Sequence, residues 1–364
     1  PIMSDKLLET PLHDWHAARG GKLVDFAGWD MPVQYTSISE EHHAVRKVAG
    51  LFDISHMGRL WFRGPDACAF LDRLLTNDVT KIKEGQIRYS IVTNELGGIL
   101  DDVLIYRWPE AYSLVVNASN REKIVAWIEQ QDDGSSIGFS DRTFELGMIA
   151  IQGPRALEWV TPLLPSDPAK LKYYSGVPID LGGEAYLSRT GYTGEDGCEI
   201  IASPAAIKSV WETLLEQHEA EGLLPCGLGC RDTLRLEAAM PLYGHELSEE
   251  IDPLTAGLGF GVKLDAGEFI GKAALVALSQ QSNLKRRVGI EIEGRRIARE
   301  GTPIYHGDQL VGEVTSGTQS PTLDKSIAMA YVEASASEPG TALEVDFRGK
   351  RLPAQVVPLP FYKR

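Results

Sequence analysis

The spacing of apolar and polar positions predicts strands and helices interleaved through the first 280 residues. Ser37-Ile38-Ser39-Glu40 has capping-box spacing and Ala44, Val45 and Val48 follow at helical intervals, which predicts a helix over about residues 39–49. Arg59-Leu60-Trp61-Phe62 reads as a strand that stops at Gly64-Pro65. Beyond it Ala67, Phe70, Leu71, Leu74 and Leu75 recur at i, i+3, i+4, i+7 and i+8, the stripe of a helix entered through proline. The same grammar returns where Met148-Ile149-Ala150-Ile151 runs into Gly153-Pro154 and then Ala156, Leu157, Trp159 and Val160. This short repeat suggests two related modules. Between them Tyr89–Val92, Ile99–Tyr106 and Tyr112–Asn117 are rich in β-branched and aromatic residues, with Gly97-Gly98 as a turn, and predict an antiparallel meander. Ser119 and Glu122 repeat the capping-box spacing ahead of Ile124, Val125 and Ile128. Strands and helices mixed in this order predict an α+β fold.

From about Leu284 the texture becomes purely alternating. Val288, Ile290 and Ile292 share one face, Gly307-Asp308 separates two short β runs, and Gly349 separates two more. These features predict a separate small β-barrel or sandwich, reached through a helix over about residues 266–281, with the boundary near 280. A chain of 364 residues suits two or three domains at about 150 residues each.

Composition narrows the function classes. Hydrophobic residues make up 43% and charged residues 24%, as in an ordinary globular protein, and 36 Lys+Arg against 51 Asp+Glu leave a net charge of −15. That charge opposes broad contact with nucleic-acid phosphates. No apolar run approaches the roughly 20 residues of a membrane span, and Pro1–Thr10 lacks the layout of a signal peptide. Cys68, Cys198, Cys226 and Cys230 are few and irregularly spaced, so reduced thiols fit better than a disulfide framework. Cys226 and Cys230 enclose three residues, one more than the usual metal clip, and no zinc is expected. Asn117-Ala118-Ser119 is read as an accidental glycosylation sequon. Gly20-Gly21-Lys22 and Gly257–Gly261 fail as phosphate or dinucleotide loops and are read as turns or close-packing glycines. Adjacent His42 and His43 point about 100° apart on a helix, so one packed ring and one surface ring are expected.

Three segments carry candidate chemistry. Asp101-Asp102 interrupts an apolar strand, with Ile99, Val103 and Ile105 on one face and Leu100, Leu104 and Tyr106 on the other, so one carboxylate must enter apolar surroundings. Residue type alone leaves a bulge acid held by backbone N–H groups and a reactive acid equally open. Thr190–Gly197 is a turn-rich loop with one aromatic ring, Tyr192, followed by a strand that carries Glu199. This is either a hairpin with a surface tyrosine or a site for a flat heterocycle, whose paired N–H donors a carboxylate can accept. In Gly227–Glu237, glycines open a helix with Arg231 and Arg235 on one face. These arginines either pair with Asp232 or Glu237 or await an acidic ligand.

Asp53-Ile54-Ser55-His56-Met57, Tyr89-Ser90, Asn94-Glu95 to Asp101-Asp102, Val115-Val116-Asn117, Thr190 to Glu199, Gly227 to Glu237 and Ser316-Gly317-Thr318-Gln319-Ser320-Pro321 together resemble the aminomethyltransferase (T-protein) family of the glycine cleavage system. The resemblance runs nearly end to end. It implies a three-domain cloverleaf around a central folate channel. Residues 1–280 would hold two α+β domains, with about 52–140 inserted into 1–51 plus 141–280, and residues 281–364 the C-terminal β-barrel. It also implies an enzyme that takes an aminomethyl group from the lipoyl arm of H-protein, releases ammonia and forms 5,10-methylenetetrahydrofolate, with no metal and no pyridoxal phosphate on this chain. By position, Asp102 is the catalytic acid beside the folate nitrogens. Glu199 takes the amino-pyrimidine edge, Tyr192 packs on or near the ring, Arg231 binds farther along, and Tyr89, Val115 and Asn117 complete the folate contacts. The chemical reason for Asp102 is that loss of ammonia passes through an iminium-like cation, which a carboxylate stabilises.

The implied setting is a cytoplasmic monomer or weak dimer, or a mitochondrial matrix protein if a presequence was removed. The implied partners are H-protein and tetrahydrofolate, with no nucleic acid and no membrane. Leu284-Lys285-Arg286-Arg287 or Arg295-Arg296 would offer a positive patch to H-protein or to a folate tail. Two other readings share the scaffold: a folate-dependent demethylase of a small sulfonium or methylated amine, and a non-enzymatic folate-binding factor of iron–sulfur assembly. Met240-Pro241-Leu242-Tyr243-Gly244-His245-Glu246 lacks the cysteine of the latter group, and His245 stands where T-proteins more usually carry Gln or Asn.

Overall fold

The computed structural model describes residues 6–364; the start of the N-terminal stretch read above for a leader, residues 1–5, lies outside them. Two larger sheets and one closed barrel organise the chain. A six-stranded sheet runs in the order Gly176–Asp180, Glu184–Ser188, Gly197–Ala202, Gly147–Gln152, Gly50–Asp53, Leu224–Cys226, antiparallel except for its last pair. A five-stranded antiparallel sheet runs Ile87–Thr93, Ile99–Trp108, Ala111–Val116, Gly58–Phe62, Phe139–Asp141. The second sheet is thus drawn from residues 58–141, a continuous stretch lying between two strands of the first. Strands Arg286–Ile292, Lys325–Val332, Gln309–Ser320, Pro303–His306, Ala342–Phe347 and Lys350–Val357 close the C-terminal barrel. The α+β class and the barrel agree with the sequence reading.

Each sheet buries one face beneath its own helices. Helices Ala156–Val160 and Pro204–His218 cover the six-stranded sheet through Trp159, Trp211 and Leu214, while Ala67–Leu74 and Arg121–Gln131 cover the five-stranded one through Phe70, Leu71, Ile124 and Ile128. The other faces meet each other in a third core that includes Trp61, Tyr106, Trp108, Met148 and Tyr186. At about 25 cal/mol per Å2, burying rings of this size fixes how the sheets sit together far more strongly than any single hydrogen bond.

Local signals set most element limits. The helix expected at 39–49 spans Ile38–Lys47, with the Ser37 side chain accepting from the Glu40 N–H. The Ser119 capping box does not form. A 3-10 turn at Ala118–Asn120 delays the helix to Arg121, and the Asn120 amide donates to Asp101 instead of capping. The helix expected over 266–281 shortens to Lys272–Ser279, because Gly271 takes a left-handed φ of 91° and Phe269 packs ahead of it. Gly227 could carry no side chain: a Cβ there would lie 2.4 Å from the Val33 carbonyl group. Its absence seats helix Leu228–Glu237 against strand Trp29–Gln34.

Candidate active site

A cavity of about 780 Å3 opens where the two sheets and the barrel meet. Strand Ile99–Trp108 supplies its most unusual wall. A register shift opposite Val92 and Thr93 makes Leu100 an extra residue, and Leu100 packs in the helix-covered core with Val103 and Ile105. Ile99 turns instead toward the core of Ile91, Leu258 and Phe269. Simple alternation had placed Ile99 and Leu100 the other way round; the bulge reverses their faces. Asp101, fully buried, then lies beneath the sheet, and Asp102 faces the cavity.

Both carboxylates are held by side chains from neighbouring segments. The Asn117 amide donates to Asp101 at 2.7 Å and to Asp102 at 2.8 Å, so one group bridges the pair. Asp101 also accepts from the Asn117 backbone N–H and from the Asn120 amide, and Asp102 accepts from the Tyr89 hydroxyl at 3.0 Å. Burial pushes both carboxyls above the usual carboxylate range. The neighbouring charge of Asp102 adds to the rise at Asp101, and the N–H and O–H donors only partly offset it. The sequon amide at Asn117 is therefore committed to the acid pair. Tyr89 is backed by Phe260, with ring centroids 5.3 Å apart, and a Cβ on Gly261 would come within 3.1 Å of its ring.

A second carboxylate serves another part of the same cavity. Glu199, on strand Gly197–Ala202, takes a short hydrogen bond from Thr190, and burial raises its carboxyl while Thr190 and Arg231 oppose the rise. The Arg231 guanidinium lies 4.7 Å from the centre of the Tyr192 ring and has no hydrogen-bonding acceptor among the described residues. Burial lowers its pKa, with Tyr192 and Glu199 opposing. Tyr192 is no surface residue: its hydroxyl donates to the Pro241 carbonyl at 2.5 Å and its ring lines the cavity. Tyr89, Asp102, Val115, Asn117, Tyr192, Glu199 and Arg231, singled out from the sequence, all line this one cavity.

Other predicted groups lie elsewhere or act differently. Arg235 also lines the cavity but is only 1% exposed and fully engaged, donating to Asp232, Glu246 and Ser316. Its i+4 spacing from Arg231 was the available signal, and the burying partners, Glu246 and the barrel's Ser316, were not visible from spacing. The patch at 285–287 divides: Arg286 is exposed, whereas Arg287 turns inward and donates to the Ala256 and Ala239 carbonyls. Arg295 pairs with Asp324. His42 is the packed ring, bonded to Thr233 and Thr322, and His43 is half-buried. Cys226, Cys230 and Glu41 cluster in the core, where the Glu41 carboxylate accepts from the Gly227 and Tyr35 N–H groups and both thiols donate to carbonyls. His56, to which the sequence motifs assign no role of its own, also lines the cavity.

Among the described residues no helix is long and apolar enough to cross a membrane. Residues 12–266 match the GCVT N-terminal domain and residues 285–363 the glycine cleavage T-protein C-terminal barrel domain. The chain is 47% identical to an aminomethyltransferase of Symbiobacterium thermophilum, over 99% of each chain. It is 49% identical to one from Rubrobacter xylanophilus, over 98% of this chain and 95% of the other. The crystal structure of glycine cleavage system aminomethyltransferase T from Bartonella henselae superposes with a TM-score of 0.91 at 34% identity, over 98% of both chains. With both parts of the chain matched and its length covered, the protein belongs to the aminomethyltransferase family, the T-proteins of glycine cleavage, and is a transferase enzyme.

Proposed function

We propose that the cavity binds tetrahydrofolate and that Asp102 serves transfer to it of an aminomethyl carbon delivered on the lipoyl arm of H-protein. One observation carries this reading: Asp102, the outward member of a buried acid pair, and a separate carboxylate, Glu199, near an unpaired guanidinium line the same cavity. Glu199 accepts the N–H groups of the amino-pyrimidine edge, the Tyr192 face packs near the ring, and Arg231 takes an electron-rich or anionic part of the ligand. Apolar wall residues such as Leu104, Val115 and Met148 exclude water around the reacting atoms.

The step balances without an oxidant or reductant. The carbon–sulfur and carbon–nitrogen bonds of the aminomethyl thioether break, and two bonds form from that carbon to folate nitrogens. The two protons leaving those nitrogens end on the lipoyl sulfur and on ammonia. Positive charge develops on the carbon between these events, and the Asp102 carboxylate, oriented by Tyr89 and Asn117, faces it. Asp101 stays under the sheet, where its donors hold the pair in register.

Calorimetry with tetrahydrofolate, followed in the same preparation by ammonia release from aminomethyl-loaded H-protein, tests this reading. Binding with release is the expected result. Binding without release moves the donor to a methylated small molecule, and absence of binding overturns the folate assignment.

A further inference from the structure

Three histidines among the described residues are buried, and one differs from the others. His16 bonds through both ring nitrogens, to the Tyr35 hydroxyl at 2.7 Å and the Asp53 carboxylate at 2.7 Å. His42 likewise uses both, on Thr233 at 2.7 Å and Thr322 at 2.8 Å. His56, 2% exposed, has no hydrogen-bond partner at either nitrogen among the described residues, and its Nδ1 is wholly shielded. An imidazole buried without partners costs on the order of 1–3 kcal/mol, so folded chains rarely retain one for packing alone.

The position of His56 gives it something to bond. It lines the central cavity, as Arg231, Glu199 and Tyr192 do, with Phe26 edge-on to its ring at 5.6 Å. The backbone on either side is fixed. Arg59, itself buried, donates to the Ser55 and Met57 carbonyls, and the Ser55 N–H donates to Asp53. The imidazole is therefore presented to the cavity by a turn with little freedom to move. Burial and the charges of Arg231 and Arg59 hold it neutral, against the opposing charge of Asp53, with a pKa of about 3. A neutral ring keeps both a donor and an acceptor, which suits a heterocycle whose edge carries both.

We infer that His56 is a ligand-binding residue, whose uncommitted imidazole edge hydrogen-bonds a polar ring atom of the flat heterocycle that Glu199 and Arg231 also contact. This rests on the folate reading of the cavity. Tetrahydrofolate is the probe, titrated by calorimetry into the full-length protein and into His56→Phe and His56→Gln variants whose unfolding transitions are recorded alongside. His56→Phe is expected to weaken binding about tenfold, the loss of one hydrogen bond, and His56→Gln to recover part of it. In the unsubstituted protein, the 15N signals of the His56 ring, recognised through its contact with Phe26, are expected to shift on saturation while the ring stays neutral at pH 5.5. Variants that bind within twofold of the unsubstituted protein, or ring signals that do not move at saturation, overturn the inference. An unsubstituted protein that binds no tetrahydrofolate overturns the folate reading, and the inference with it.

Discussion

Two sets of buried acids in this protein balance burial against their partners differently. Around the cavity, Asp101, Asp102 and Glu199 have carboxyls raised by burial beyond what their partners compensate. In the scaffold, burial also acts to raise Asp53 and Glu237, but their partners outweigh it and hold both at about 2. Glu237 shows how. It ends helix Leu228–Glu237 and gathers Arg46 at 2.8 Å, His42 at 3.2 Å, and Ser320 and Thr322 of the barrel region at 2.5 and 2.8 Å. Full pairing makes such an acid a fastener between regions. Incomplete pairing costs stability, and it leaves a carboxylate able to respond to a ligand or a developing cation.

The largest expected effect that separates the two groups is on turnover. Asp102→Asn should lower kcat by about a thousandfold, as removal of a charge-stabilising group does, while the melting temperature holds or rises because two like charges no longer share a site. Asp101→Asn should leave measurable turnover. If Asp101→Asn abolishes activity and Asp102→Asn spares it, the assignment of the reactive acid is reversed. Glu237→Ala should behave in the opposite sense, costing about 3 kcal/mol in denaturant unfolding, because Arg46 loses one of its two buried carboxylate partners and the Ser320 and Thr322 hydroxyls lose their acceptor. A Glu237→Ala protein as stable as the parent would show that its network fastens nothing.

Two pH effects follow, smaller in size. The depressed Asp53 and Glu237 carboxyls contribute stability that is fully present above about pH 4.5 and is lost as pH falls toward 2. At about 2–3 kcal/mol each, they should dominate acid unfolding monitored by circular dichroism. The raised Asp102 carboxyl loses its charge at a higher pH than an ordinary aspartate, so the acid limb of kcat should lie above the range in which an ordinary aspartate titrates. The smallest expected change is from Asn120→Ala. Removing a donor to Asp101 keeps that acid neutral to higher pH and lightens the like-charge repulsion on Asp102, and should move that limb downward by about half a pH unit. An unmoved limb would mean that Asp101 does not communicate with its neighbour.

Much of this was legible without coordinates, for a local reason. Helix stripes at residues 38–47 and 67–74 and the barrel's alternating strands follow from backbone periods that operate over a few residues. The same locality explains the failures. A bulge at Leu100 depends on the register against Val92 and Thr93, and the missing Ser119 cap depends on Asp101 claiming Asn120. Neither partner is close enough in sequence to leave a periodic trace.

The sequence by itself determined the element order, the α+β class, the terminal barrel and the presence of acids in an apolar strand. Only the tertiary structure decided which of two adjacent aspartates meets the cavity, that Asn117 bridges them, that Arg235 is tied to Glu246 while Arg231 is not, and that His56 stands unpaired where His16 and His42 do not. The physical reason is range. Backbone geometry fixes periodicity between neighbours in the chain, whereas the charge and hydrogen-bonding state of a buried group is set by whichever distant segments fold against it.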